Sequence, residues 1–346
     1  MKKKILSISS LWEISRENSI AFSEELGDGL EGKTFDSFTL CLHFPREIGE
    51  YEKELMKSQF NSIVGTALIE RFGTKRDFTE PELEIRVDFF KMNYELWFRP
   101  VFLFARYRKF ERGLPQTRWD CAKCRRKGCD ECNGTGKRHA ESVQELACIP
   151  AEKEFGAESS RFHGAGREDR DARMLGTGRP FVIELLNPQR READLERLKE
   201  KINSEAKGKI GVSGLRFSGR GELLKVKSGE FEKTYEARVE FGEEISREKL
   251  EKACAELSGK ELLQNTPNRV MHRRADLERK RKIIYCRVKN VEGKSALLEI
   301  RAEHGTYIKE FVSGDEGRTK PNLSELVGVP AFVSELDVIA VHDDFR

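Results

Sequence analysis

The stretch "GREDRDARMLGTGRPF", residues 166–181, sets three carboxylates (Glu168, Asp169 and Asp171) among four arginines (Arg167, Arg170, Arg173 and Arg179) and three glycines. It runs straight into "RPFVIELL", an apolar run of strand length. Three readings fit such a loop. It is a surface loop of mutually satisfied ion pairs, each worth little. Or it presents one carboxylate, held ionised by its cationic neighbours, from a Gly-bounded turn. Or Asp169 and Asp171 bind a metal, which so many adjacent arginines disfavour. Composition leaves the first two level.

Downstream, strand and helix patterns alternate. "READLERLKEKI" carries Leu195, Leu198 and Ile202 at helical spacing, and "TYEARVEF" alternates as a strand. "SREKLEKACAELSG" reads as a helix with Ser246 as its N-cap and Gly259 past its end. "RKIIYCRV" and "SALLEIRAEH" are strands, "NLSELVG" a short helix and "FVSELDVIAVHDD" a last strand. Residues 141–346 therefore read as one mixed domain of ordinary size.

Upstream, residues 36–110 read as a small α/β unit. "FTLCLHF" is a strand, "NSIVGTALIERFG" a helix closed by Gly73, and "ELEIRVDFF" alternates Leu83, Ile85, Val87 and Phe89 against charged neighbours. "ELWFRPVFLFARYRKF" supplies another strand with Arg106, Arg108 and Lys109 at its exit, giving the unit a basic rim. Residues 111–140 are rich in Gly, Cys and basic residues and too poor in apolar ones to build a core. They read as a connector ordered by a metal; residues 1–35 are an N-terminal segment.

The chain has 346 residues, enough for two or three domains. No apolar stretch is long enough to span a bilayer, and the start lacks a signal-peptide pattern, which predicts a soluble cytoplasmic protein. Charged residues make up 36% of the chain, yet the formal net charge is only +3. Net charge thus names no partner, and local patches must do so. The high, mixed-sign charge content also fits a heat-adapted protein.

Of eight cysteines, Cys41, Cys148, Cys254 and Cys286 stand singly in apolar runs and read as buried small hydrophobes. Cys121, Cys124, Cys129 and Cys132 form C-x2-C-x4-C-x2-C, and four thiolates complete the tetrahedral shell of structural zinc. Disulfides are the poorer reading in a cytoplasmic chain. An iron-sulfur or redox role fits the surrounding basic residues less well. A second basic patch lies in "NRVMHRRADLERKRKIIYCRVK", residues 268–289, where Arg269, Arg273 and Arg274 open a run of nine cations against Asp276 and Glu278. Most such runs are solvated faces; at this density the run reads as a phosphate-contacting stripe.

Resemblance separates the readings of the opening loop. "GRED" is similar to the G-R-x-D loop of pseudouridine synthases, and "HGTYIKEFVSGDEGRTKPNLSELVG", residues 304–328, resembles their late G-T-Y-[IL]-[RK] motif. With "KTYEARVEF" and "QNTPNRVMHRRA" between them, the set resembles, in order, the archaeal and eukaryotic family that makes pseudouridine at positions 54 and 55 of tRNA. The likeness runs from about residue 36 to residue 345. It implies an α+β fold, a mixed-sheet pseudouridine synthase catalytic domain preceded by a small α/β THUMP-like RNA-binding domain. It implies tRNA as the partner, bound at its T-loop and elbow, and no cofactor for catalysis.

Carried over residue by residue, the resemblance makes Asp169 the nucleophile. Arg167 would help displace the target nucleotide, a need of any chemistry on a stacked base. Tyr235 would pack against the flipped uracil and is a candidate for removing the C5 proton; Lys309 would pair with the nucleophile, and Tyr307 would line the pocket. From pattern alone Tyr235 is a core tyrosine and Lys309 an exposed lysine. His163, His272 and His304 have no nucleophile to serve and take no catalytic role; His272 lies in the basic stripe. Residues 1–35 lack the further cysteine pair that relatives often carry, so a metal would rest on the local four cysteines or on two of them with other ligands. A different class, a non-catalytic tRNA-binding module or chaperone, is opposed by the intact Asp169, Tyr235 and Lys309. A methyltransferase or thiolation enzyme is opposed by the lack of a Gly-rich nucleotide loop. A monomer is expected, since a tRNA needs both domains on one accessible face.

Overall fold

Leu83, Ile85 and Val87 alternate with charged residues because the strand that carries them, in a computed structural model of the chain, buries one face only. The structure describes residues 8–44, 46, 48–89, 91–273 and 275–345. These fall into two units, the first comprising residues 1–101, 151–161 and 184–194, the second the remainder.

The first unit contains α1 (Ile8–Leu30), β1 (Ser37–His43), α2 (Glu50–Phe72), β2 (Lys75–Arg76), β3 (Leu83–Asp88) and β4 (Asn93–Phe98). Its sheet runs β2-β1-β3-β4, with β1 parallel to both its neighbours and β4 antiparallel to β3. Phe22 and Leu26 of α1, Phe60 and Val64 of α2 and the inward residues of β3 form one core. Phe38 joins that core and Leu40 and Leu42 pack against it, so Cys41, of opposite parity, is exposed. That corrects its reading as a buried hydrophobe: "TLCLHF" is an apolar run on a strand with only one covered face.

The second unit holds most of β5 (Val101–Lys109), parts of α3 (Val143–Phe155), β6 (Ser159–Gly164) and β7 (Arg173–Leu186), and all of α4 (Leu195–Glu205), β8 (Ile210–Ser218), α5 (Arg220–Ser228), β9 (Glu232–Phe241) and α6 (Arg247–Leu257). It continues with β10 (Glu261–Gln264), β11 (Arg279–Glu292), β12 (Ser295–Ala302), α7 (Ile308–Ser313), β13 (Thr319–Lys320), α8 (Leu323–Val327) and β14 (Ala331–His342). A ten-stranded mixed sheet runs β13-β10-β11-β12-β9-β14-β7-β5-β8, with β6 paired to β7. β14 is antiparallel to β9 and parallel to β7, which makes β9 and β7 the two flanks of one central strand. The fold is α+β, a large mixed sheet plus a small N-terminal α/β sheet.

"ELWFRPVFLFARYRKF" is two strands, not one. Pro100 interrupts it, lacking the N–H that a continuous ladder needs. The second, β5, pairs with β8 in the large sheet. Its Lys109 is fully buried, which corrects the reading of that residue as part of the small unit's basic rim. No helix among the described residues is long and apolar enough to cross a membrane.

Candidate active site

The GRED loop joins β6 to β7, and its two central carboxylates face opposite ways. Glu168 turns inward. Its Oε2 accepts from the Tyr107 hydroxyl at 2.8 Å and from Arg179 Nε at 3.0 Å, and Lys109 Nζ lies 3.6 Å from Oε1. The same side chains hold the loop's backbone. Lys109 Nζ donates to the carbonyls of Asp169 and Arg170, Arg179 Nη1 to that of Ala165, and Gln116 Nε2 to that of Gly166. Gly166 sits at φ +77°, and a Cβ there would press on Arg179 Nη1 at 3.3 Å. Arg112 adds a tie to β14, donating to both the Asp171 and Leu336 carbonyls at 2.9 Å.

Asp169 turns outward into a cavity of about 230 Å³. Arg167, Asp169, Tyr235, Arg269, Tyr307 and Lys309 all line it, brought from four separate stretches of sequence. Arg269 Nη1 stands 3.0 Å from the Asp169 carboxylate, and its Nε donates to the buried Glu310 at 2.6 Å. Lys309 Nζ is 3.8 Å from Asp169 and 2.7 Å from Asp171. The nearer cation on Asp169 is therefore Arg269, placed by the sequence in the phosphate stripe. Arg274 and the side chain of Arg273 lie outside the described residues.

Electrostatics differ across the cavity. Burial works to lower the Arg269 guanidinium, but the bond to Glu310 and the charges of Glu310 and Asp169 hold it above its usual range. Burial works to raise Asp171, and the hydrogen bond and charge of Lys309 pull it below the usual carboxylate range instead. Burial pushes the Tyr235 phenol up to about 12, so at neutral pH it is an uncharged stacking and hydrogen-bonding group. Tyr235 sits on β9 opposite Ile300 of β12 and Val338 of β14, which fixes its register. Tyr307, before α7, is pinned by buried Gln264, which accepts from its N–H and donates to its carbonyl, each at 3.0 Å. None of His163, His272 and His304 lines the cavity.

The model of the Pus10 C-terminal family matches residues 102–342, a span that contains every residue of this cavity. The chain belongs to the Pus10 family. Among curated Pus10 proteins named tRNA pseudouridine synthase, that of Archaeoglobus fulgidus is 46% identical over 292 residues, covering 84% of this chain and 80% of its own length. That of Methanopyrus kandleri is 39% identical over 339 residues, covering 93% and 78%. That of Methanothrix thermoacetophila is 44% identical over 288 residues, covering 83% of this chain but 64% of its own length. Among solved structures, a chain of a Cbf5-Nop10-Gar1 complex covers 57% of this chain and 45% of its own length, at 19% identity and a TM-score of 0.37, too distant to add to the Pus10 match.

Outside the cavity, this Pus10 chain brings the sulfurs of Cys121, Cys124, Cys129 and Cys132 within 4.8 Å of one another. Neighbouring Sγ pairs are 3.7–3.8 Å apart. A tetrahedral ion with zinc–sulfur bonds of about 2.3 Å would separate its sulfurs by about 3.8 Å, so the donor set and spacing fit a structural metal. The N–H groups of Cys129 and Gly136 donate to Cys132 Sγ at 3.3 and 3.2 Å, which with the neighbouring thiols lowers that thiol against the opposing effect of burial.

Pattern reading missed Tyr107, Lys109, Gln116, Glu168 and Lys233. Their signals were present in part: Tyr107 and Lys109 share one face of β5, and Lys233 shares that of Tyr235 on β9. The basic stripe is also less one-signed in space than in sequence, since Glu261 approaches Lys280 at 3.3 Å and Glu236 approaches Lys289 at 3.5 Å.

Proposed function

We propose that this chain is a tRNA pseudouridine synthase that isomerises uridine in the T-loop, at position 54, 55 or both, with Asp169 as nucleophile. The observation that carries the reading is the pairing of family with geometry. The chain belongs to the Pus10 family, and the loop carboxylate of Asp169 faces a cavity beside an aromatic ring and two cations.

An aspartate between Arg269 and Lys309 attacks without a separate base. Its oxygen bonds to C1′ of the uridine while the C1′–N1 bond breaks and its electron pair stays with the uracil ring. The ring turns, C5 bonds to C1′, the Asp169 carboxylate is released, and the C5 proton is lost to solvent as N1 takes one up. No oxidant, reductant or nucleotide enters the balance. Tyr235 offers the face on which the ring stacks, and Tyr307 and Leu336 complete the walls. Arg167, exposed at the rim, would help displace the target nucleotide from its stack. The small N-terminal sheet would act as a THUMP-like RNA-binding domain, and the cysteine-rich segment, stapled by zinc, would add basic residues for gripping the tRNA backbone.

The test is chemical mapping of pseudouridine in an unmodified tRNA transcript after incubation with the chain, beside Asp169→Asn. Pseudouridine in the T-loop that disappears in the variant, with tRNA binding retained, is the expected result. Binding without any product would move the reading to a non-catalytic tRNA-binding module.

A further inference from the structure

Lys233 is a buried cation with no obvious reason to be there. Its side chain comes from β9, two residues before Tyr235 on the same face, and it lines the cavity that holds Asp169. Only 8% of the residue is exposed. Among the described residues no carboxylate forms an ion pair with it, and its Nζ donates to the Phe231 carbonyl at 2.7 Å. The charged group that acts on it most is another cation, Arg179, and burial with that repulsion lowers its pKa to about 8. A buried ammonium without an anion is costly, and an apolar side chain would fill the same strand position at no such cost. An arrangement of this kind repays its cost when a negative charge arrives in the cavity.

We propose that Lys233 is a catalytic residue that stabilises the detached uracil ring, its ammonium donating a hydrogen bond to a ring oxygen as the C1′–N1 electron pair passes to the ring. The inference rests on the pseudouridine synthase reading above. The pair that leaves C1′ spreads over N1 and the two carbonyl oxygens, so the ring is anionic only between cleavage and rejoining through C5. A donor fixed beforehand in a site screened from water stabilises such a charge more than it stabilises neutral uridine.

The experiment compares wild type, Lys233→Met and Lys233→Gln in single-turnover reactions on two tRNA transcripts, one with uridine and one with 5-fluorouridine, following loss of the starting nucleoside in digests. Thermal unfolding and tRNA affinity are measured alongside, and Lys233→Gln keeps the test open if the Met variant does not fold. On uridine, Lys233→Met should be slower by about 10²-fold at unchanged tRNA affinity, with Lys233→Gln between it and wild type. The 5-fluorouracil anion is the weaker base and needs less help, so on that transcript the defect should shrink at least tenfold. Equal defects on both transcripts, or defects that track lost affinity or stability, would overturn the proposal while leaving an active wild type to sustain the parent reading. A wild type that converts neither transcript overturns both.

Discussion

Glu168 and Arg179 form an ion pair at 3.0 Å in which only 1% of each side chain is exposed. The pair lies one residue before Asp169, so the outward carboxylate is held in place by an inward one. Removing Glu168 as Glu168→Ala leaves Arg179 and Lys109 as buried cations without their anion, a change expected to cost about 3–5 kcal/mol. Denaturant unfolding of the full chain measures it, and a loss under about 1 kcal/mol would mean that the carbonyl contacts of Lys109 and Gln116 hold the loop without the charge pair.

Arg269, rather than Lys309, makes the closer contact with Asp169, at 3.0 Å against 3.8 Å. Arg269→Met should therefore lower single-turnover pseudouridine formation by about 10²–10³-fold, while Asp171→Asn, which only frees Lys309 from its 2.7 Å partner, should stay within about tenfold of wild type. The reverse ranking would show that Lys309 moves onto Asp169 when tRNA binds.

The four-cysteine connector carries a prediction separable from catalysis. Cys124→Ser should release a stoichiometric metal, read by metal analysis of the purified protein, and raise amide exchange across residues 119–138 with the large sheet still protected. Loss of protection throughout the sheet would show that the connector's order reaches the catalytic core.

How far these features were legible depends on where charge sits. Strands β3, β9 and β12 followed from apolar alternation, and Ser246 caps α6 as read, its hydroxyl accepting from the Lys249 N–H at 3.3 Å. The cavity residues Asp169, Tyr235 and Lys309 were reached by resemblance, since pattern alone made them a loop acid, a core tyrosine and a surface lysine. Lys109, Glu168, Arg179 and Lys233 were not legible, because periodicity sends charge to solvent and these four are buried beneath or beside the loop. Each is a case where burial is repaid by another charge or, for Lys233, by chemistry. The break at Pro100 was hidden by apolar residues on both sides of it. The exposure of Cys41 depended on which face of β1 the helices cover.

Lys233 also links activity to stability through pH. Its pKa of about 8 in the folded chain lies below the usual lysine value, burial being the first cause and Arg179 of β7 the charged group facing it, with the uncharged Tyr235 beside it on β9. Between pH 8 and about 10.4 the unfolded chain binds more protons at this residue than the folded one, so the cost of burying it falls as pH rises through that window. Below pH 8 the cost is fully present, about 3 kcal/mol from the shift. Lys233→Gln should accordingly unfold at higher denaturant than wild type at pH 7, and the gap should narrow by pH 9.5. Activity should move the other way: wild-type kcat/KM should fall above pH 8 as the ammonium is lost, and Lys233→Gln, slower throughout, should lack that limb. A variant that is both less stable and pH-dependent like wild type would make Lys233 a packing residue instead.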